Sequence, residues 1–263
     1  MSDSVEDRGR AADGKVIAVC GKGGVGKTTI SALISRLLYE DGRDKVLVVD
    51  ADPAVGLGMA LNRFPERTVN DVRKEIISSV RERSTDSVDL AASVDYKMME
   101  IVMDSGNLGF LSVGRPEEEG CYCQLNTLLR EAIESLSAHF EVTLIDAEAG
   151  VEQINRRVMR SVTHLLLVSD TALKAVRVAE SIHKVAADAV NYRKLGLLVN
   201  RARGEEDALR LASHSDLPLL GWIPEDETVR EFDSEARSFL ELPSCPALEA
   251  VRSSVLESCF LSD

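Results

Sequence analysis

Gly21-Lys22-Gly23-Gly24-Val25-Gly26-Lys27-Thr28 follows a short apolar run at residues 16–20 and precedes an apolar stripe formed by Ile30, Leu33, Ile34, Leu37 and Leu38. The stripe falls at i, i+3, i+4, i+7 and i+8, one face of a helix. The quoted residues therefore make a strand-to-helix turn, and their spacing is G-x-x-x-x-G-K-[ST]. Glycines are needed because the loop must turn its N–H groups inward without Cβ clashes. The helix N-terminus beneath adds a favourable dipole potential for anions. Such a turn is built to hold phosphates. It predicts an ATP site running from Gly21 to Thr29, with Lys27 reaching the β- and γ-phosphates and the Thr28 hydroxyl ligating Mg²⁺.

Outward from this turn, apolar runs at 46–49, 142–145, 164–168 and 195–199 read as further buried strands. They alternate with helical patterns, one carried by Leu125, Leu128, Leu129, Ala132, Ile133 and Leu136. This alternation predicts a single-domain α/β P-loop fold over residues 15–263, a mostly parallel sheet flanked by helices on both faces. Residues 68–100 are more polar and read as an insertion-like region with one helix near 69–80.

The 263 residues suffice for one large domain, and an apolar share of 44% argues against disorder. With 44 acidic against 31 basic residues the net charge is −13, which repels nucleic-acid phosphates and anionic membranes. Neither is an expected partner. Residues 1–14 are polar, lack the apolar core of a signal peptide and read as a loose tail. The five cysteines fit no secreted disulfide pattern, so a reducing cytoplasm is the expected compartment.

Two strands end in acids. Residues 46–49 lead into Asp50-Ala51-Asp52-Pro53, and 142–145 lead into Asp146. With Lys22 at the start of the loop, these features resemble the deviant Walker ATPases, the class of nitrogenase iron protein, MinD, ParA and the arsenite and tail-anchored-protein ATPases. The resemblance implies that Lys22 reaches the nucleotide of a twin subunit, acting in trans like an arginine finger. It implies that Asp52 orients or deprotonates the attacking water, and that Asp50 and Asp146 hold hydrated Mg²⁺. Ala149-Gly150 matches the class's second switch. Asn200-Arg201 matches its base-binding asparagine, and Gly221-Trp222-Ile223-Pro224-Glu225-Asp226 its loop beside the base, making Pro224 and Asp226 further nucleotide contacts.

Gly120-Cys121-Tyr122-Cys123 precedes the helix beginning near Leu125. That position favours the thiolate, the metal-ligating form, although Glu117, Glu118 and Glu119 oppose it. Two cysteines cannot complete a four-coordinate shell, but a symmetric dimer would supply four thiolates on its twofold axis. Soft sulfur ligands suit Ni²⁺, Zn²⁺ or an iron–sulfur cluster, and the spacing does not separate these. The combination of Lys22, Asp52, Cys121, Cys123, Asp146-Ala147-Glu148-Ala149-Gly150 and Asn200 resembles the CooC-type ATPases. These assist nickel insertion during carbon monoxide dehydrogenase maturation. The match is poor over 54–106, and Gln124-Leu125-Asn126 replaces the Pro-Glu-Asn expected after the second cysteine.

The resemblance thus implies a cytoplasmic homodimeric ATPase serving a client metalloenzyme. An electron-transfer ATPase like nitrogenase iron protein is the alternative, but that class takes one cluster cysteine from the second switch, where this chain has none. A positioning ATPase of the MinD or ParA kind needs a basic membrane helix or a basic DNA-binding surface, and Arg252 is the only base from 244 to 263. Cys20, Cys245 and Cys259, the scattered histidines and Trp222 read as packing or surface residues.

Overall fold

Residues 14–82, 87–115, 123–147, 158, 161–258 and 260–261 are described by the structure, a computed structural model. The strands are β1 (Lys15–Gly21), β2 (Val46–Asp50), β3 (Met103–Ser105), β4 (Leu108–Ser112), β5 (Val142–Asp146), β6 (His164–Ser169), β7 (Lys194–Ala202) and β8 (Leu219–Pro224). They form one sheet in the order β3-β4-β2-β5-β1-β6-β7-β8. Every pairing is parallel except the β3–β4 edge. β2, β4, β5 and β6 are buried at every residue, as expected of parallel strands covered on both faces.

One face of the sheet is covered by α1 (Lys27–Asp41), whose Ile30, Leu33, Ile34 and Leu37 pack with Val46 and Val48. Gly42 ends α1 in the left-handed conformation at φ 65°, its N–H bonded to the carbonyl of Leu38. The short α2 (Gly56–Leu61) and the C-terminal α9 (Pro246–Val251) lie on this face too, through Leu57, Leu61, Leu248 and Val251. The other face carries α3 (Val69–Glu82), α4 (Ser87–Glu100), α5 (Cys123–Ser137), α6 (Leu173–Ala189) and α7 (Glu205–Ala212). Between α7 and α9, α8 (Glu227–Ser234) follows β8.

Residues 68–100 correct the insertion-like reading. Val72 and Ile76 of α3 and Val94 and Met98 of α4 are buried in the same core as Ile133 and Leu136 of α5. Their apolar positions are sparse because each helix offers only a narrow stripe to that layer. β3, β4 and β8 were not read from the sequence either. Gly109 interrupts β4, and Gly221 and Trp222 give β8 a mixed look, so neither shows a clean apolar run.

A parallel sheet gathers its strand C-termini at one rim. Asp50, Asp146 and Gly21 arrive there on the adjacent strands β2, β5 and β1, and Asn200 arrives on β7, beyond β6. That rim is where ligands bind in open α/β sheets.

Candidate nucleotide site

The turn from β1 into α1 is shaped by its neighbours as much as by its ligand. A Cβ on Gly21 would collide with the carbonyl oxygen of Val168 on the adjoining strand. Gly26 sits at φ 92°, and a Cβ there would strike the Asn200 amide. Gly23 and Gly24 have nothing within 4 Å of a built Cβ, so the middle of the loop faces open space. Bare backbone around an open cradle suits phosphates. Lys27 is 8% exposed, with Nζ 3.5 Å from the carbonyl oxygen of Lys22. Lys22 itself is half-buried at the mouth of the loop, Val25 is buried, and Thr29 turns toward the base-side cleft.

Asp146, at the end of β5, faces the first turn of α1. It accepts the Thr28 hydroxyl at 2.8 Å on Oδ2 and the Ser31 hydroxyl at 2.9 Å on Oδ1. Its side chain is 1% exposed, and burial pushes its pKa up to about 7 against the opposing pull of the two hydroxyls. Asp50 lies opposite Asp146 in the β2–β5 register and is fully buried. It accepts the N–H of Asp52 at 3.2 Å and of Gly58 at 3.0 Å, and burial pushes its pKa up to about 6.

These donors fit a divalent cation. Hard oxygens of one hydroxyl and nearby carboxylates, completed by water and phosphate, are what Mg²⁺ takes. A cation would also relieve the cost of two buried carboxylates on adjacent strands. Among the described residues no group of three or more His, Cys, Asp and Glu forms a closed metal cage.

Asp52 begins a tight turn. Its Oδ1 accepts the N–H of Ala54 at 2.8 Å and its carbonyl the N–H of Val55 at 3.0 Å. Val55 stands at φ 55°, ψ 37°, a left-handed conformation that a β-branched residue strongly disfavours. Gly56 then passes close over Thr28, where a Cβ would lie 3.4 Å from the Thr28 methyl.

On the base side, a cleft of about 160 Å³ is lined by Thr29, Leu33, Arg201, Ile223, Pro224 and Asp226 among others. Asn200 lines this cleft as well. Asn200 is buried and directed at the loop: Nδ2 donates to the Val25 carbonyl at 2.8 Å and Oδ1 accepts the Arg201 N–H at 3.0 Å. Both ends of the amide brace the chain, because Arg201 at φ 58° turns the strand end back toward Gly24, whose carbonyl its Nη1 reaches at 3.4 Å. Asp226 caps α8, with Oδ1 accepting from Thr228 and Val229 and Oδ2 from Ala247. It shapes the cleft from its rim.

Cys121 lies outside the described residues, as do Glu148, Ala149 and Gly150 of the second switch. Cys123 is the first residue of α5, and its side chain is not described. Cys20 and Cys245 are buried free thiols, and burial pushes Cys20 up to about 12, so it is inert filler. Sequence reasoning missed Ser31, although its place one turn after Thr28 on the same helix face is legible. It also missed Arg115, whose Nε donates to the Pro53 carbonyl at 2.8 Å. No local signal announces that contact.

The model of the CobQ/CobB/MinD/ParA nucleotide-binding domain matches residues 16–239. The chain belongs to this family. As a MinD/ParA-family P-loop ATPase, it is an ATP hydrolase. An uncharacterized ATP-binding protein of Methanocaldococcus jannaschii is 33% identical over 234 residues, covering 87% of this chain and 91% of the relative. The carbon monoxide dehydrogenase accessory protein CooC of Rhodospirillum rubrum is 28% identical over 242 residues, again 87% and 91% of the two chains. The septum site-determining protein MinD of Pyrococcus horikoshii, solved with Mg-ADP, superposes with a TM-score of 0.65 at 25% identity, over 91% of this MinD/ParA-family ATPase and 93% of that chain. Among the described residues no helix is long and apolar enough to cross a membrane.

Proposed function

We propose that this ATPase is a homodimeric, cytoplasmic metal-site maturation factor that uses Mg-ATP hydrolysis to drive insertion of a metal, nickel, into a client enzyme such as carbon monoxide dehydrogenase. Cys121 and Cys123 of two subunits share the metal on the twofold axis. The observation that carries the reading is where the flanking elements end: β4 closes at Ser112, in register with Asp50, and α5 opens at Cys123. The likeness to CooC, itself a carbon monoxide dehydrogenase accessory protein, supports the same reading.

In the hydrolytic step, the attacking water is oriented by the Asp52 carboxylate, which takes its proton as the new bond to the γ-phosphorus forms. The bond from that phosphorus to the β–γ bridging oxygen breaks, and ADP carries away the electron pair. Lys27, and Lys22 of the partner subunit, neutralise the charge that spreads over the phosphoryl oxygens. Thr28 directly, and Asp146 and Asp50 through water, would hold Mg²⁺, which would supply further charge neutralisation there. Asn200, Arg201 and Pro224 position the loop and the base cleft, and Asp226 shapes its rim.

The test is the double substitution Cys121→Ser and Cys123→Ser. Stoichiometric Ni²⁺ or Zn²⁺ binding by the anaerobic protein is expected to disappear, while metal-free ATPase stays within about twofold. Unchanged metal content in the double variant would remove the proposal. A brown protein with broad visible absorbance would instead favour an iron–sulfur cluster at the same thiolates.

A further inference from the structure

The turn after β2 is organised around one peptide unit. Asp52, Pro53, Ala54 and Val55 form a β-turn closed by the Val55 N–H on the Asp52 carbonyl at 3.0 Å. Asp at the first position and Pro at the second are residues that such a turn favours. The central peptide joins Pro53 to Ala54, and both of its polar groups are held. Its N–H donates to Asp52 Oδ1 at 2.8 Å, and its carbonyl accepts Arg115 Nε at 2.8 Å. A carboxylate and a guanidinium thus grip opposite edges of one rigid plane.

The two grips differ in footing. Asp52 belongs to the turn itself, and the turn ends in a strained residue. Val55, at φ 55°, keeps a left-handed conformation only while its surroundings hold it there. Arg115 comes from outside, 62 residues along the chain, and the backbone beneath it is fixed on two sides. Val113 donates its N–H to the Asp50 carbonyl at 2.9 Å and accepts the N–H of Asn70 at 3.1 Å. Gly114, at φ 77°, passes so close to Thr68 that a Cβ would lie 2.6 Å from its hydroxyl. Thr68 is itself fixed by bonds from its N–H and hydroxyl to Asp71 at 2.9 and 2.7 Å. The guanidinium therefore reaches a strained turn from a braced base.

The amide plane carries that hold to the carboxylate. The C=O and N–H of one peptide point in opposite directions, so fixing the Pro53 carbonyl also fixes the Ala54 N–H. Rotation of the central peptide is the motion that separates the common types of β-turn. Such a rotation would swing the Ala54 N–H away from Oδ1 and leave the Asp52 side chain free to turn.

We propose that Arg115 is a positioning residue for hydrolysis, which by holding the Pro53 carbonyl keeps the Asp52 carboxylate aligned toward the attacking water. The inference rests on the role given to Asp52 above and adds the group that aligns it. Its signature is a loss of rate without a loss of binding, because the bond is to the turn and not to the phosphate loop.

The experiment measures single-turnover hydrolysis of Mg-ATP by the full-length protein, with the affinity for a non-hydrolysable analogue beside it. Arg115→Ala is expected to slow hydrolysis by about tenfold, an ordinary result of misplacing a reacting group by a fraction of an ångström. Its analogue affinity should stay within about twofold and its thermal midpoint within about 2 °C. Arg115→Lys, which keeps a long cationic donor, should recover about half of the natural rate. In an Asp52→Asn background the same Arg115→Ala change should cost less than about twofold, since a group that acts through Asp52 then has nothing to align. Hydrolysis within twofold of natural in Arg115→Ala overturns the proposal. So does a fall in analogue affinity as large as the fall in rate, or a full tenfold loss repeated on Asp52→Asn. Failure of the underlying reading looks different: Asp52→Asn by itself then keeps the natural rate, whatever stands at 115.

Discussion

The phosphate loop and the turn at residues 52–56 lie side by side over Thr28, yet they solve their backbone problems in opposite ways. Where the loop needs a left-handed residue it uses glycine, at Gly24 and Gly26, and Asn200 and Arg201 brace it from behind. The turn needs the same conformation and uses Val55. Glycine there is free of the steric cost, whereas valine carries about 1–2 kcal/mol of it. The loop is thus a relaxed grip and the turn a strained one. A grip should be insensitive to what it holds; a switch has to have another state within reach.

The contrast can be attacked first from the loop. Gly26→Ala puts a methyl against the Asn200 amide in a left-handed position. It is expected to cost about 2–3 kcal/mol, the sum of the conformational penalty and a lost hydrogen bond. Thermal unfolding reads that cost directly. If the loop distorts to escape it, ATP affinity should fall at least tenfold, and a variant normal in both would show that the loop is not braced as described. Next in size is Ser31→Ala, which removes one of the two hydroxyls holding the Asp146 carboxylate. Outer contacts of this kind are worth about 10–100-fold. Turnover should fall by about tenfold and the Mg²⁺ concentration for half-maximal activity should rise, with Ser31→Thr retaining most of both. Loss of turnover with unaltered Mg²⁺ dependence would separate Ser31 from the cation site.

The smallest effect carries the opposite sign. Val55→Gly relieves the left-handed strain but adds the conformational entropy of an unfolded glycine, about 0.5–1 kcal/mol. The net expectation is a gain of about 0.5–1 kcal/mol, a thermal midpoint higher by about 1–4 °C. A lower midpoint would mean that the turn is not strained, and the distinction between grip and switch would go with it.

Much of this molecule was legible from its residues because the signals were local. The phosphate loop is a contiguous run of residues with fixed spacing, and buried parallel strands announce themselves as unbroken apolar runs. The reading failed where burial is shared among distant segments. Residues 68–100 looked like an insertion because each helix contributes only a few apolar side chains, such as Val72, Ile76, Val94 and Met98, to a layer completed by α5. Asn200, expected to contact the base, lines the base-side cleft and also braces the loop through Val25, a second role that no local pattern signals.

From sequence alone came the α/β class, the phosphate loop with Lys27 and Thr28, the two strand-end acids and the cysteine pair, since each is set by periodicity or spacing along the chain. Tertiary structure decided which groups meet: that Ser31 shares Asp146 with Thr28, that Asn200 braces the loop, and that Arg115 reaches Pro53 across 62 residues of chain. The physical reason is that hydrogen bonds are short-ranged and directional, so their partners depend on how strands are ordered in the sheet. Here β2 and β4 are neighbours although β3 and three helices separate them along the chain.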